Sequence, residues 1–303
     1  MLAVILVNYN NSDDTIDCVN SLKNSTYNNF IVIVVDNGSN SKDKEYLSRE
    51  AEKSNFVLIS SDKNLGFSGG NNLGIKYALE HNADFLLLLN NDTVVKEDFL
   101  KNIVASYSAL SQNGKEKVIV SPKINYFYDK NKIWYCGGTW NPFLGRITHI
   151  GINEQDSARF SKNKEVSFET GCCMLIPAEA IKQVGLMDEE YFLYCEDTDY
   201  CLRLRKAGYH LWVVPSAVIY HKVSASTKKD QSHSPSAIYT YYAVRNKQYL
   251  IDRYVSDPLK PIARFYSRLE ISWKIKKREY DPTVVEKALA DHKAGILGNS
   301  FTR

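Results

Sequence analysis

The chain has 303 residues, 44% of them hydrophobic and 24% charged, which suits one large α/β domain with appendages and excludes a disordered or fibrous protein. Its longest apolar runs, at 2–7, 31–35 and 85–89, fall far short of the roughly 18 residues that a membrane-spanning helix requires. Net charge is only +3, yet residues 253–278 hold eight Lys or Arg against Asp257 and Glu270, a local +6 that leaves the remainder slightly acidic.

The first apolar stretch has no basic residues before it and runs straight into Asn8-Tyr9-Asn10. It reads as a strand rather than a signal peptide, and a cytoplasmic protein is expected. From there short β-branched runs alternate with polar segments of helical period, the order of a parallel sheet covered on both faces. Strands are predicted over 2–7, 30–35, 56–60 and 84–89, with helices over 13–24, 42–53, 69–81 and 97–110, a Rossmann-like half that ends near Gly114. The pattern then changes. Residues 117–122, 133–150 and 165–177 carry the aromatic, Gly and turn residues of strands and loops, which fits a mixed sheet with a hairpin or flap. A helix follows over 197–207, stopped by Gly208, then a short strand over 211–214 that Pro215 ends. Residues 224–236, with Ser, Lys, His and one Pro, suit a mobile loop, and from about Ser236 the chain is mainly helical. The expected division is therefore 1–114 and 115–232 as two halves of one domain and 233–303 as a helical region. The six cysteines form no CxxC pair, and adjacent Cys172 and Cys173 are a poor geometry for joint metal ligation, so reduced, mostly buried thiols are expected.

In an open α/β sheet ligands bind beyond the carboxyl ends of the strands. Here the four exits are Asn8-Tyr9-Asn10, Asp36-Asn37-Gly38-Ser39, Asp62-Lys63-Asn64-Leu65-Gly66 and Asn90-Asn91-Asp92-Thr93. Any one of them could be a plain turn or cap; together they point to one polar rim. Asp36 suits acceptance from a base or ribose, and Tyr9 could cover a base face. Gly66-Phe67-Ser68-Gly69-Gly70-Asn71-Asn72 opens a helix, where glycines permit close approach of a phosphate to backbone N–H groups. It is neither a GxGxxG fingerprint nor a Walker loop, which disfavours nicotinamide cofactors and P-loop chemistry. Asp92 can hold a hard divalent cation beside a diphosphate, and His221 joins it as a candidate ligand for Mn²⁺ or Mg²⁺. Glu196-Asp197-Thr198-Asp199 places three carboxylates at a helix start. Asp199 stands four residues before Arg203, as in a surface ion pair, which leaves Glu196 and Asp197 as candidates for catalysis. Spacing does not choose between them.

These residues resemble glycosyltransferase family 2, of GT-A fold, and within it the bacterial rhamnosyltransferase-like branch that acts on cell-surface polysaccharides. The resemblance spans residues 2 to about 250. It is carried by Val7-Asn8-Tyr9-Asn10, Val35-Asp36-Asn37-Gly38-Ser39, Asn64 to Asn72, Leu89-Asn90-Asn91-Asp92-Thr93, Thr170-Gly171, Glu196 to Arg203 and Tyr241-Tyr242-Ala243-Val244-Arg245-Asn246. It implies an α/β protein with a Rossmann-like nucleotide-binding half, a mixed central sheet and a helical C-terminal extension. It further implies donor binding by Asn8, Tyr9, Asp36, Asn64, Gly69, Asn71 and Asn91, a metal on Asp92 and His221, and Asp197 as catalytic base with Glu196 as second candidate. Gly171, Trp212 and Glu196 are expected on the acceptor side. The family's metal motif is often Asp-x-Asp, and here Asn90-Asn91-Asp92 keeps only the last carboxylate.

The activity implied is inverting transfer of a sugar from a nucleoside-diphosphate donor, dTDP-L-rhamnose in first place, to a hydroxyl of a growing, lipid-linked cell-surface polysaccharide such as an O-antigen or capsule. A UDP-linked hexose or galactofuranose is the second donor. A non-catalytic glycan-binding or scaffold subunit is the rival from another class. A nucleotidyltransferase is disfavoured because Asn8-Tyr9-Asn10-Asn11 is not the Gly-rich, basic loop such enzymes place after strand one. Residues 253–278, with Trp273 among Lys274, Lys276, Lys277 and Arg278, suit either peripheral contact with the inner face of the cell membrane or a solvated helix packed on the domain. No nucleic-acid-binding motif accompanies them.

Overall fold

The computed structural model describes residues 1–112, 117–223 and 236–301. The expected boundaries at 114/115 and 232/233, and all but the last residue of the expected mobile loop, lie outside the described residues. The N-terminal half runs β1 (Leu2–Asn8), α1 (Ser12–Lys23), β2 (Phe30–Asn37), α2 (Ser41–Ser54), β3 (Val57–Ser61), α3 (Gly66–Glu80), β4 (Phe85–Leu89), β5 (Thr93–Val95) and α4 (Phe99–Gln112). Then come β6 (Val118–Tyr126), β7 (Ile133–Tyr135), β8 (Gly138–Asn141), β9 (Arg146–His149), β10 (Lys164–Val166), β11 (Cys173–Pro177), α5 (Ala178–Val184), α6 (Glu196–Lys206) and β12 (His210–His221). The chain closes with α7 (Ala237–Tyr254), α8 (Lys260–Lys276) and α9 (Pro282–Lys293).

Among the described residues one mixed sheet runs in the order β10-β12-β6-β11-β4-β1-β2-β3, with β5 added on β12 and β7 on β6. Strands β3, β2, β1 and β4 are parallel, and the inner three, β2, β1 and β4, are buried over most of their length, which is why they read as apolar runs, whereas β3 at the sheet edge is only half-buried. Between β1 and β4 the strand order reverses direction. That switch point opens a crevice at the carboxyl ends of these two strands. The antiparallel β11 brings its start to the same rim, Cys173 opposite Leu89. The hairpin of β8 and β9 supplies the expected flap.

Four elements differ from expectation. β1 and β2 continue through Asn8 and Asn37, pairing Asn8 with Asp36, because these polar side chains bond one another and need no turn. α3 begins at Gly66, one turn earlier than predicted. β12 does not end at Pro215 but continues to His221; the proline falls in the register shift between Val214 and Val218, where a missing N–H costs no ladder bond. The extension beyond the bulge carries His221 to the rim, opposite Thr93.

The C-terminal helices pack on the segment before α6. Phe192 shares an apolar cluster with Tyr241 and Tyr242 of α7, and Tyr191 shares another with Leu250 and Ile251. Among the described residues no helix is long and apolar enough to cross a membrane.

Candidate active site

The four strand exits are joined by hydrogen bonds. Asn91 Nδ2 donates to Thr15 Oγ1 (2.8 Å), Thr15 Oγ1 donates to Asn8 Oδ1 (2.8 Å), and Asn8 Nδ2 donates to Asp36 Oδ1 (3.3 Å) and Ser39 Oγ (3.0 Å). The third exit joins through Asn37, whose Nδ2 reaches Asn64 Oδ1 (3.2 Å) and whose Oδ1 accepts from the Leu65 N–H (3.0 Å). Gly38, at φ +79°, lets this rim close: a Cβ there would stand 2.4 Å from the Lys63 carbonyl carbon. Asp36 is fully buried, and its Oδ2 has no hydrogen-bond partner among the described residues. A buried acceptor left open at a strand end is what a ligand N–H or O–H requires. Tyr9 beside it is 48% exposed and free to cover a ring.

The glycine-rich stretch, with Gly69, Asn71 and the preceding Asn64, also packs within the protein. It is the first two turns of α3, and its glycines let the helix lie close to its neighbours. A Cβ on Gly70 would stand 2.7 Å from Val7 and one on Gly69 2.6 Å from Leu65. The Phe67 N–H at the helix start is taken by the Phe192 carbonyl at 2.7 Å, so that donor already has a protein acceptor. Asn71 Nδ2 bonds the Phe67 carbonyl, and Asn64 Oδ1 accepts from the Gly66 N–H. These side chains shape the rim from within.

At the other end of the rim His221 Nε2 and Asp92 Oδ1 are 3.0 Å apart, both deeply buried, with the Trp134 ring edge-on to the imidazole. Burial works against a proton on His221, but Cys172 and the bond to Asp92 outweigh it and push its pKa up to about 10. One carboxylate oxygen and one imidazole nitrogen meeting at a strand end fit a hard divalent cation, which would take the proton's place. Among the described residues no third His, Cys, Asp or Glu completes a cluster with them. Further ligands would come from a diphosphate and water. Lys222, next in sequence, is committed to Asp14 (2.6 Å) and Asp17 (2.7 Å) of α1, which pins the end of β12 to the first half.

The catalytic candidates sit at the start of α6. Asp197 Oδ2 accepts from the Gly171 N–H (3.0 Å) and Oδ1 from the Thr198 N–H (2.7 Å). The next residue, Cys172, accepts at its carbonyl from the Asn90 N–H (2.8 Å), so the two-residue stretch Gly171-Cys172 couples Asp197 to the Asp92 exit. Gly171 thus serves through its main chain. Burial raises the pKa of both carboxyls. Glu196 is lifted furthest, by burial and by the charge of Asp197, and its Oε2 has no hydrogen-bond partner among the described residues. Asp197 is lifted less, because two N–H donors favour its ionised form. The hydrogen bonds that spacing could not show favour Asp197 over Glu196 as the carboxyl that carries the charge.

Asp199 is not on the surface. It is fully buried, bonded by Arg203 Nε (2.8 Å), Tyr191 and Tyr254, with Arg253 at 3.3 Å. Trp212 lies away from the metal end. Its partner on β6 is Val120 and that of His221 is Tyr126, six register steps or about 20 Å along the strand. Its side chain is half-buried and packs against the main core.

Sequence reasoning also missed two groups. The segment 191–195 holds Phe192, Tyr194 and Cys195 at positive φ, each costing about 1–2 kcal/mol in a non-glycine residue. Asn246 Nδ2 donates to the carbonyls of Tyr191 (2.9 Å), Leu193 (2.8 Å) and Tyr194 (2.8 Å), and fully buried Arg245 reaches those of Tyr191 and Gly298. The Arg245-Asn246 pair was visible as a motif, without its role. The second is Glu169, fully buried beside Ser121 and the Trp212 main chain, its pKa lifted well above the ordinary 4.5 by burial. The native carboxyl stays protonated where the unfolded one ionises, so the unfolded chain sheds its proton first and stability falls as pH rises above that value. Glu169→Gln removes this dependence. Urea unfolding at pH 5 and pH 8 should show the variant gaining on the wild type by up to about 1.4 kcal/mol per pH unit in the window between the two pKa values.

Residues 3–185 match the family model described as Glycosyl transferase family 2. The chain is 25% identical over 249 residues to the low-salt glycan biosynthesis hexosyltransferase Agl10 of Haloferax volcanii, covering 81% of this chain and 74% of that one. It is 28% identical over 226 residues to the dTDP-rhamnosyl transferase RfbF of Shigella flexneri, covering 72% and 69%. Among solved structures, the mannosyltransferase PcManGT from Pyrobaculum calidifontis, in complex with GDP-Man and Mn²⁺, superposes with a TM-score of 0.58 at 16% identity, over 97% of this chain and 75% of that one. TarS of S. aureus superposes at 0.51 and 16% identity over 86% of this chain, which spans only 41% of TarS. The shared architecture is the GT-A fold.

Proposed function

Since the chain belongs to glycosyltransferase family 2, we propose that it is an inverting enzyme that moves L-rhamnose from dTDP-L-rhamnose to a hydroxyl of a lipid-linked, growing cell-surface polysaccharide. The observation that carries this reading is the single hydrogen-bonded rim, with the open Asp36 oxygen at one end, the Asp92 and His221 pair at the other, and Asp197 coupled to it through Gly171 and Cys172. A nucleoside at Asp36 and a diphosphate near Asp92 leave the anomeric carbon on the side of Asp197. Asp197 takes the proton of the acceptor hydroxyl, the oxygen bonds to the anomeric carbon, and the bond to the diphosphate breaks with its electron pair going to the leaving group. A divalent cation on Asp92 and His221 would offset the charge of that leaving group. One carboxylate base suffices for a single displacement. Rhamnose is favoured by the likeness to a dTDP-rhamnosyl transferase. A lipid-linked acceptor also places the chain at the membrane face.

Calorimetry with dTDP, UDP and GDP, with and without Mn²⁺, tests the reading. Expected is tightest binding of dTDP, strengthened about tenfold or more by the metal, with Asp92→Ala losing only the metal-dependent part. Preference for UDP transfers the assignment to a UDP-hexose donor. Absence of binding by all three overturns the proposal.

A further inference from the structure

The helix α8 is built inside out. Its inner face, toward α7, carries Ala263, Ser267 and Ile271, with Ser267 Oγ accepting from Gln248 Nε2 at 2.8 Å. Its outer face carries Ile262, Phe265, Tyr266, Leu269 and Trp273, all between 47% and 59% exposed. Spacings of three and four residues place these five side chains in one stripe, nearly opposite the buried one. An ordinary surface helix puts its large apolar residues inward. Exposed Arg268, Lys276 and Lys277 border the stripe, and Lys277 Nζ lies 4.5 Å over the Trp273 ring. The one acid on the helix, Glu270, is bound by Lys247 of α7.

We propose that the outer face of α8 is a docking surface for an anionic lipid bilayer. An aromatic and aliphatic ridge fits the boundary between headgroups and acyl chains, and a basic border meets acidic headgroups, each cation strengthening binding about fivefold. A second copy of the chain is a poorer occupant, since pairing two such faces sets their basic borders against each other. The surface is wired to the catalytic segment: α8 packs on α7, whose Asn246 and Arg245 hold residues 191–194 just before Glu196. A seated α8 therefore orients Asp197 relative to the bilayer. In that use, presenting the site to a lipid-linked acceptor, the inference rests on the proposed transfer.

Flotation of the full chain with vesicles of phosphatidylcholine alone, and of phosphatidylcholine mixed with phosphatidylglycerol, tests the surface. Expected is flotation with the anionic vesicles only, weakening as salt rises. Phe265→Glu with Trp273→Glu, and separately Lys276→Glu with Lys277→Glu, should weaken it about tenfold or more. Both pairs are exposed, so circular dichroism and dTDP binding stay at the wild-type level. A wild type that floats with neither vesicle, or variants that float as well as the wild type, overturns the proposal. So does a wild-type dimer that Phe265→Glu with Trp273→Glu splits, with no vesicle binding. Because dTDP binding is read on the same proteins, a chain that floats without binding nucleotide keeps the docking surface and loses the proposed transfer.

Discussion

Asp197→Asn should lower turnover about a hundred to ten thousandfold, the range of a lost general base, while dTDP binding persists. Glu196→Gln should cost about tenfold or less. The contrast follows from the site's electrostatics. Both carboxyls are buried at the same helix start, but only Asp197 receives the Gly171 and Thr198 N–H groups that favour a carboxylate. Glu196 has burial and the charge of Asp197 against its ionised form, and the amide copies the neutral form they favour. The pH profile gives a second check. A base must be ionised, and burial raises the pKa of Asp197, so kcat/KM should fall on the acid side at a pH above the ordinary carboxylate value of 3.8. That limb should remain in Glu196→Gln. Equal losses in the two variants would instead mean that the carboxyls act as one unit.

The parallel half of the sheet was legible because strands buried on both faces leave unbroken apolar runs, and the polar residues ending them stand out in sequence. Asn8, Asp36 and Asp92 became candidates for that reason, as did His221 after an apolar run. Local punctuation misled where long-range structure overrode it. Pro215 reads as a strand end, yet the bulge opposite Pro122 absorbs it and the strand continues. Gly66 to Gly70 reads as a ligand-facing loop, but sequence does not show that its glycines also admit Val7 and the Phe192 carbonyl, since a glycine that admits a ligand and one that admits a neighbouring chain are the same letter. Asp199 reads as half of an exposed pair with Arg203, since Tyr254, which helps bury it, is 55 residues away. Glu169 has no periodic or motif signal, and only burial makes it unusual.

Residues whose partners are main-chain carbonyls are the hardest to find, because sequence does not mark which carbonyls will need a donor. Asn246→Asp is the sharpest test of that case. It keeps the shape of the side chain and replaces the amide that reaches Tyr191, Leu193 and Tyr194 with a carboxylate facing the same three carbonyls. The segment 191–195, with three residues at positive φ, then loses the donor that holds it, and kcat should fall about a hundredfold through misplacement of Asp197. dTDP affinity should change little, because Asp36 and its partners lie on β1 and β2. Arg245→Ala acts on stability instead. It removes the guanidinium donor that the carbonyls of Gly298, Glu190 and Tyr191 share and opens a cavity among Tyr241 and Tyr242, at a cost of about 3–5 kcal/mol by chemical denaturation. A variant pair that split in this way, one losing turnover with nucleotide binding intact and the other losing stability, would establish α7 as the element that fixes the catalytic carboxylate. If Asn246→Asp lost turnover and nucleotide binding in equal measure, the damage would be general and the positioning role would fall.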